Sequence, residues 1–576
     1  MAVRSGNKIK YMTTFKEFSY VRPDLKVFKG KFENLLTEFK AAESVAIQCE
    51  LISEINVLRN DFDTMWNLAH IRHTIDTKNE FYEKENNFFD ESVPEFQELV
   101  DKFYSAIVNS KFKSELMEKF GKQFFTIAEM NVKTFDPIIM EDLKEENRLK
   151  SEYVKLSSSA IIEFQGKEYN LSGITPFTLS DDREIRKEST NAYWGFFAKN
   201  REKFDEIYDK LVKVRTRIAQ KLGYKNYIEL GYLRMQRSDY NFETIAKFRD
   251  MIHKHIVPMV TKLKGRQAKR LDLDSLKHYD NRYQFKTGNA KPKGNPDWIV
   301  ENGKAMYEQL SPETGTFFNF MLKKNLLDLV NKKGKAGGGY CTYIANEKAP
   351  FIFSNFNGTS HDIDVLTHEA GHAFQVFESR NYEIPEYQWP TCEACEIHSM
   401  SMEFLTWPWM DSFFKEDVEK YKFSHLSGAL LFLPYGASVD EFQHEVYENP
   451  DMTPAERRAA WRKIEMKYMP GLDYDGNEYL EGGGMWQKQA HIFEMPFYYI
   501  DYTLAQICAF QFWKKSQDGE KETFNDYLRL CRAGGSRPFL ELVDYANLKS
   551  PFKEESLQSV LSDVEGYLET VDDMAL

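Results

Sequence analysis

Most of the chain alternates apolar and polar residues with the 3.6-residue period of an amphipathic helix. One such stretch, residues 25–39, places its apolar side chains on a single helical face: Leu25, Phe28, Phe32, Leu35, Leu36 and Phe39. The same period predicts helices over residues 42–76, 98–120 and 136–156, and it returns over 182–239 with many charge pairs. The pattern therefore predicts a mainly α-helical fold.

The helical period is interrupted at several places. Around residues 160–180, apolar residues flank a turn at Gly166, which is typical of a short hairpin. Residues 264–293 are rich in Lys, Arg, Asp and Asn, and we expect them to form a surface excursion. A glycine-rich break precedes residues 340–356, which are predicted to form two short strands before the helical period resumes at Ile363. These interruptions add a small β-sheet to the helical body.

The composition excludes several classes of protein. The chain has 576 residues, of which 42% are hydrophobic, and this is enough apolar material for a large core. The net charge is −13, and Lys and Arg are spread among acids, so no nucleic-acid partner is expected. No apolar run approaches the roughly 18 residues of a membrane span, so no membrane partner is expected either.

The chain is expected to work in the cytoplasm with reduced thiols. Its six cysteines are too few for a disulfide framework. The N-terminal sequence has no hydrophobic segment of the kind found in secretory signals. We predict that the first eleven residues form an unstructured leader, and we leave them out of the fold prediction.

The sequence HEAGH at residues 368–372 matches the H-E-x-x-H pattern. Positions i and i+4 of a helix share a face, so His368 and His372 can bind one zinc ion. Glu369 lies beside them, within reach of a water at the open metal position. The motif therefore predicts a zinc site with Glu369 as the general base.

A zinc site of this kind needs a third protein ligand. The metzincin class is excluded, because Gln375 and Glu378 stand where it requires Gly and His. Five glutamates downstream are candidates for the third ligand: Glu383, Glu386, Glu393, Glu396 and Glu403. The first two lie in a loop rich in Pro and Tyr, which is a poor platform for a rigid ligand. Glu396 and Glu403 share one face of a helix predicted from residue 393 to residue 410. We favour Glu396 as the ligand and Glu403 as the residue that orients a ligand histidine.

An aromatic segment follows His491 and comprises Phe497, Tyr498, Tyr499 and Tyr502. Tyr499 and Tyr502 are three positions apart, so they share a face if the segment is helical. Phenols and an imidazole are suitable donors to the oxyanion of a tetrahedral intermediate. Rows of aromatic residues more often belong to a core, so the pattern alone leaves both interpretations open.

Three motifs occur in one order along the chain: HEAGHAFQ, ACEIHSMSMEF and HIFEMPFYYIDYTLAQ. With them, the chain resembles the oligoendopeptidase F and Pz-peptidase branch of the thimet-oligopeptidase-like zinc metallopeptidases. The resemblance covers roughly residues 180–570, and the N-terminal FSYVRPDLKVFKGKF is also similar to that branch. It implies a mainly helical body with a small β-sheet near the zinc helix, split by a deep substrate channel. An N-terminal helical region, residues 12–180, would then precede a catalytic region, residues 181–576.

The resemblance also implies roles for the aromatic segment. His491, Tyr499 and Tyr502 would stabilise the transition state, and Tyr498 would contact the substrate. The spacing leaves open which of these tyrosines reaches the oxyanion.

The segment before the zinc helix is the predicted substrate platform. The exposed edge of a strand can bind an extended peptide through main-chain hydrogen bonds, whatever the peptide sequence. Gly338, Gly339 and Tyr340 are the residues we expect to do so. A buried structural hairpin is the alternative interpretation of the same segment.

Together these features predict a zinc-dependent endopeptidase that binds one zinc ion per chain and hydrolyses internal bonds of short oligopeptides. One alternative is a metallocarboxypeptidase, which would need a cation for the substrate's terminal carboxylate; Arg532 and Arg537 are candidates. A second alternative is a peptide-binding protein with structural zinc, although such a site has no need of Glu369. The sequence does not predict the oligomeric state.

Overall fold

The computed structural model of the protein describes residues 13–576, and the predicted leader at residues 1–11 lies outside this range. Helices occupy most of the N-terminal part: α1 (Leu25–Ala41), α2 (Val45–Ile75), α3 (Glu80–Val108), α4 (Lys113–Phe120), α5 (Lys122–Asn131) and α6 (Met140–Ser158). The helices predicted at residues 25–39, 42–76 and 136–156 are confirmed, with small shifts at their ends. Asp24 caps α1 by accepting hydrogen bonds from two main-chain N–H groups of its first turn.

The predicted helix over residues 98–120 has the wrong limits. Two helices occupy this range instead of one. Helix α3 begins at Glu80, continues through Pro94 and ends at Val108, and α4 begins at Lys113. A proline usually ends or kinks a helix. Burial of the apolar face keeps α3 helical, as where Phe96 stacks on Phe62 of α2 with ring centroids 4.2 Å apart.

A short hairpin and a group of helices form the middle of the chain. The hairpin pairs β1 (Ile162–Phe164) with β2 (Lys167–Tyr169), as predicted, and turns at Gln165 and Gly166, both with positive φ. The helices that follow are α7 (Leu171–Ile174), α8 (Arg183–Lys221), α9 (Tyr227–Arg234), α10 (Phe242–Met251), α11 (Val257–Leu271), α12 (Pro296–Leu310) and α13 (Pro312–Lys323).

The prediction that residues 264–293 form a surface excursion is wrong. The segment begins inside α11 and then packs into the body, where Phe285 and Asp280 are fully buried. Two arginines of α8 compensate the buried charge: Arg183 lies 2.7 Å and Arg186 lies 3.1 Å from the Asp280 carboxylate. Ion pairing with a distant helix makes a polar sequence compatible with the interior.

The second sheet has three strands: β3 (Leu327–Val330), β4 (Tyr340–Ile344) and β5 (Ala349–Phe356). Strand β5 lies in the centre, parallel to β3 and antiparallel to β4. The two strands predicted at residues 340–356 are confirmed, and β3 is an addition. Nearly all of β5 is buried, because α14 packs across the sheet.

The C-terminal part is helical, as predicted: α14 (His361–Ser379), α15 (Cys392–Leu405), α16 (Met410–Phe414), α17 (Val418–Glu448), α18 (Pro454–Tyr468), α19 (Glu478–Glu481), α20 (Ala490–Glu494), α21 (Tyr499–Gln517), α22 (Thr523–Ala533), α23 (Phe539–Tyr545) and α24 (Glu554–Thr570). The predicted fold class, mainly α with a small sheet beside the H-E-x-x-H helix, is confirmed. Within residues 13–576, no helix combines the length and the apolar character needed to cross a membrane.

Apolar side chains form one large core around the sheet and helices α14, α15, α17 and α21. A second core lies among α1–α5 and also includes Ile384 and Tyr387 from the C-terminal part. The N-terminal helices therefore pack around their own centre and are joined to the rest by the loop after α14. A division of the chain near residue 180 stays a prediction.

Helices α14 and α15 cross at Gly371 with almost no space between their main chains. A Cβ atom at this position would lie 2.6 Å from the carbonyl oxygen of His398 and 2.6 Å from Cα of Ser399. The glycine inside HEAGH is therefore required by helix packing.

We expect Gly371→Ala to lower the midpoint of thermal unfolding, at a cost of about 1–3 kcal/mol, because the new methyl group meets main-chain atoms that cannot rotate away. Gly195→Ala is the matched control. Gly195 lies inside α8 with no atom within 4 Å of an added Cβ, so alanine there should stabilise the helix by about 1 kcal/mol. A Gly371→Ala variant as stable as the parent would contradict the crossing.

Candidate active site

Three predicted ligands meet where α14 and α15 cross. The ligand atoms of His368, His372 and Glu396 all lie within 4.8 Å of one another. One carboxylate oxygen of Glu396, Oε2, is 3.1 Å from Nε2 of His368 and 3.3 Å from Nε2 of His372. Glu396 is fully buried, and its neighbour Ser399 donates a hydrogen bond of 2.8 Å to the same oxygen. The donor set is that of a metal site with two imidazoles and one carboxylate.

Glu403 lies behind His368, on the side away from the cluster. Its Oε1 atom is 2.7 Å from Nδ1 of His368, and its Oε2 atom is 2.7 Å from Nε2 of His425 on α17. Nε1–H of Trp407 donates to Nδ1 of His425 over 3.1 Å. Because that nitrogen accepts, the other nitrogen of His425 carries the proton and donates to Glu403. The chain of hydrogen bonds places a proton on Nδ1 of His368 and leaves Nε2 free to bind a metal.

Sequence analysis did not find His425 and Trp407. Both lie outside the H-E-x-x-H pattern, and His425 reaches the site from α17 only through the tertiary fold. No spacing along the chain signals its contact with Glu403.

The other candidate ligands lie elsewhere in the fold. Glu386 binds Arg59 of α2 at 2.7 Å, and Glu383 accepts a hydrogen bond from Ser53, so both join the C-terminal part to the N-terminal helices. Glu393 accepts a hydrogen bond of 3.0 Å from the Tyr240 hydroxyl. All three glutamates have structural partners away from the cluster.

Glu369 is buried beside the cluster, with 6% of its surface exposed. Burial raises the pKa of its carboxyl, and the charges of His368 and His372 act in the opposite direction. Within the described residues its Oε2 atom has no hydrogen-bond partner. A Cβ on Gly339 would lie 3.1 Å from Oε1 of Glu369, so the glycine segment before β4 passes close to this carboxylate. A carboxylate with a raised pKa and a free oxygen is suited to take up a proton.

His491 and Tyr502 form the opposite wall of the site. Nε2 of His491 lies 3.1 Å from the Tyr502 hydroxyl, and Nδ1 lies 2.8 Å from the side-chain amide of Gln489. The Tyr435 hydroxyl donates to Oε1 of Gln489, which orients the amide nitrogen toward His491. The imidazole therefore carries its proton on Nε2 and donates to Tyr502. The hydroxyl hydrogen of Tyr502 stays available for another acceptor.

Two further tyrosines of the segment differ in their surroundings. The Tyr498 hydroxyl donates to Oε1 of Glu396, so this residue touches a predicted ligand. Tyr499 packs at right angles to Tyr435, with ring centroids 5.7 Å apart. Burial alone raises the pKa of Tyr499. Burial also raises the pKa of Tyr502, and the negative charges of Glu396 and Glu369 raise it further. Tyr502 also packs against Tyr498, the partner of Glu396, with ring centroids 5.0 Å apart.

The predicted substrate platform divides into two parts. The Tyr340 hydroxyl lies 2.6 Å from Oγ1 of Thr74 on α2, and its ring stacks on Phe353 of β5 with ring centroids 4.7 Å apart. Gly338 and Gly339 are exposed and line a cavity of about 610 Å³, which His491 also borders. The two glycines therefore line this cavity, whereas Tyr340 does not.

The cations considered for a carboxypeptidase lie in a separate surface depression beside α22 and α23. Arg532 pairs with Glu378 at 2.9 Å, and Arg537 lies 3.9 Å from Glu541. Neither lines the cavity that borders His491.

The segment that carries His491 and the tyrosines is held by buried arginines. Arg237 donates to the carbonyl oxygen of Phe497 over 2.6 Å and pairs with Asp501 at 2.5 Å. Phe497 has a φ of +68°, which is unusual for a side chain of this size, and its N–H donates to Gln443 over 3.0 Å. The tertiary contacts on both sides of this residue hold the turn that brings Tyr498 next to Glu396.

The fold and the cluster together have the form of a helical peptidase. The profile of peptidase family M3 matches residues 177–301 and 312–561, and that of the peptidase M3 N-terminal domain matches residues 15–135. The chain therefore belongs to peptidase family M3. The predicted family resemblance is confirmed.

Individual relatives agree with this assignment. The solved structure of Pz peptidase A with inhibitor 2 is 62% identical, has a TM-score of 0.97, and is matched over 97% of this chain and 100% of that chain. An oligoendopeptidase F homolog of Borreliella burgdorferi is 21% identical over 64% of this chain. The chromosomal oligoendopeptidase F of Lactococcus lactis subsp. cremoris is 22% identical over the same share. The chain spans 62% and 60% of these two relatives.

We expect Arg237→Met to destabilise the protein by about 3–5 kcal/mol, because it leaves the buried Asp501 carboxylate without its partner. The double variant Arg237→Met, Asp501→Asn should recover part of the loss in the midpoint of thermal unfolding. Arg148→Met is the surface control; Arg148 is 60% exposed and 3.6 Å from Glu91, so its effect should stay within about 0.5 kcal/mol. Equal midpoints for all three variants would contradict the anchoring role.

Proposed function

We propose that the protein is a zinc-dependent endopeptidase that hydrolyses internal bonds of short oligopeptides in the cytoplasm. One observation carries the proposal: the buried carboxylate of Glu369 lies beside the His368, His372 and Glu396 cluster, and one of its oxygens has no hydrogen-bond partner among residues 13–576. A purely structural metal site has no use for such a group and closes with a fourth protein ligand. The low cysteine count supports the cytoplasmic location.

The distances between ligand atoms support zinc. Tetrahedral coordination at about 2.0–2.1 Å separates ligand atoms by about 3.3 Å. The separations from Glu396 Oε2 to the two histidine nitrogens are 3.1 Å and 3.3 Å. When bound, zinc polarises the scissile carbonyl and lowers the pKa of the attacking water.

Proton transfer and stabilisation of the oxyanion are assigned to residues of the chain itself. Glu369 takes a proton from the attacking water and later delivers one to the leaving amine. Tyr502, oriented by His491, donates to the oxyanion that develops on the substrate carbonyl. Burial lowers the pKa of His491 to about 4, so the imidazole is neutral at neutral pH and donates through Nε2. Tyr499 is a packing residue in this proposal.

Two further contributions concern position. The hydrogen bond from Tyr498 to Oε1 of Glu396 supports a role in orienting this metal ligand. Gly338 and Gly339 offer main-chain groups to an extended peptide beside Glu369. The catalytic region is proposed to comprise residues 181–576, after an N-terminal helical region at 12–180.

We expect Glu369→Gln to lower turnover about a hundredfold to ten-thousandfold, the usual contribution of a general base. The assay uses internally quenched peptides of about five to fifteen residues, blocked at both ends and compared at equal zinc content. Glu378→Gln is the matched control, since Glu378 lies on the same helix and pairs with Arg532 on the surface.

Cleavage of blocked peptides by the parent and the control, but not by Glu369→Gln, would support the mechanism. If blocked peptides survive while peptides with a free C-terminus are trimmed, a carboxypeptidase replaces it. If the parent binds zinc and cuts nothing, the protein is not a peptidase.

We expect His425→Ala to weaken zinc binding about 10–100-fold, because Glu403 loses the donor that holds it against His368. His425→Gln, which can still donate to Glu403, should retain part of the affinity. The exposed His253→Ala is the control. Competition with a chromophoric chelator measures the dissociation constants, and equal values for all three variants would exclude the role assigned to His425.

A further inference from the structure

The chain between β3 and β4 is anchored on both sides of a run of three glycines. Before the run, the N–H of Ala336 donates a hydrogen bond of 2.8 Å to the carbonyl oxygen of Thr74 on α2. After it, Tyr340 begins β4 and pairs with Phe353 of β5. The run itself, residues 337–339, is exposed and lines the cavity of about 610 Å³.

The three glycines do not continue the strand. If the register between β4 and β5 extended beyond Tyr340, Gly338 would lie opposite Asn355. Gly338 has a φ of +85°, which is not a strand conformation, so the pairing of main chains stops at Tyr340. The main-chain groups of the run therefore need other partners or remain available to a ligand.

The side chain of Asn355 takes the place of the missing strand pairing. Its amide nitrogen donates to the carbonyl oxygens of Ala336 and Gly338, over 2.8 Å in each case. Carbonyl oxygens can only accept, so the side chain must present its nitrogen to them. Within residues 13–576, Asn355 is the only hydrogen-bond partner of the three glycines.

The segment that Asn355 holds passes directly beside Glu369. A Cβ on Gly339 would lie 3.1 Å from Oε1 of Glu369 and 3.0 Å from Cγ1 of Val365. A side chain at this position would displace the segment from α14, and glycine permits the close approach. The main chain of the cavity wall therefore runs next to the proposed general base.

The N–H groups of the three glycines have no acceptor among residues 13–576. An extended peptide offers a carbonyl oxygen at every residue, and exposed N–H groups can bind these oxygens whatever the side chains are. Ordering glycines at the moment of binding costs conformational entropy. Donors that are already held in place therefore bind a peptide more tightly.

We propose that Asn355 is a positioning residue for the substrate: it holds the three glycines so that their N–H groups bind carbonyl oxygens of the peptide beside Glu369. The inference rests on the proposed peptidase function and assigns the residue that prepares its main-chain binding site. The Oδ1 atom of Asn355 is buried, so this residue acts through the glycines and does not touch the reacting atoms.

Peptide binding to the Glu369→Gln protein, which is expected to hold peptides without cutting them, provides the test. Adding Asn355→Ala should weaken the binding of a fluorescent peptide blocked at both ends about tenfold, as measured by anisotropy. Asn355→Asp keeps the shape of the side chain but has no N–H group to donate, so it should weaken binding at least as much.

Asn346→Ala is the matched control. Asn346 lies between β4 and β5 at the other end of the same hairpin, where its amide donates to Asp61 of α2 over 2.8 Å. This variant should bind the peptide as tightly as the Glu369→Gln protein alone. Zinc affinity, measured by competition with a chelator, should be the same in every variant, because the predicted ligands lie on α14 and α15.

A second measurement separates positioning of the main chain from a merely structural role. A set of peptides carries one thioamide each, at successive positions, and each thioamide weakens one main-chain acceptor without changing a side chain. With Asn355 present, a thioamide at a carbonyl bound by the glycines should weaken binding several-fold. In the Asn355→Ala variant this difference should disappear.

Equal affinities of the Asn355→Ala and Asn346→Ala variants would overturn the proposal, as would a thioamide effect that is the same with and without Asn355. Loss of zinc affinity in Asn355→Ala would also overturn it, since the residue would then serve the metal site. Cleavage by the parent protein is measured separately on the unmodified peptide. If the parent cuts no peptide, the proposed peptidase function fails, whereas the binding data still decide the role of Asn355.

Discussion

The close crossing of α14 and α15 at Gly371 is the constraint on which the candidate active site depends. The two histidines come from one helix and the glutamate from another, and their ligand atoms must approach to about 3.3 Å for a small tetrahedral ion. The Glu396 side chain of α15 can reach both histidines of α14 only if the main chains of the two helices pass close to each other. Glycine permits this approach, and the apolar core around both helices stabilises it.

Directed chains of hydrogen bonds then set the protonation of each imidazole. On one side, Trp407 donates to His425, which donates to Glu403, and this carboxylate accepts from His368. On the other side, Tyr435 orients Gln489, which donates to His491. The first chain begins at the indole N–H of Trp407, which can only donate, and the second begins at the Tyr435 hydroxyl. This order of donors leaves Nε2 of His368 free for a metal and places a proton on Nε2 of His491, which donates to Tyr502.

The two walls of the site come from parts of the chain that are distant in sequence, residues 361–405 and residues 491–502. The α14–α15 pair supplies the ligands, and the segment from His491 to Tyr502 faces it. Buried arginines hold that segment by its main-chain carbonyls, Arg237 at Phe497 and Arg215 at Phe493.

The sequence by itself determined the helical class, the small sheet, the family and the cluster of His368, His372 and Glu396. These depend on short-range periods, on the i, i+4 geometry of a helix and on motifs of fixed spacing, all of which are local. The tertiary structure alone decided the burial of residues 264–293, the contacts of His425 and Gln489, and the contact between His491 and Tyr502. Those features depend on which distant helices meet, and packing of the whole core settles that.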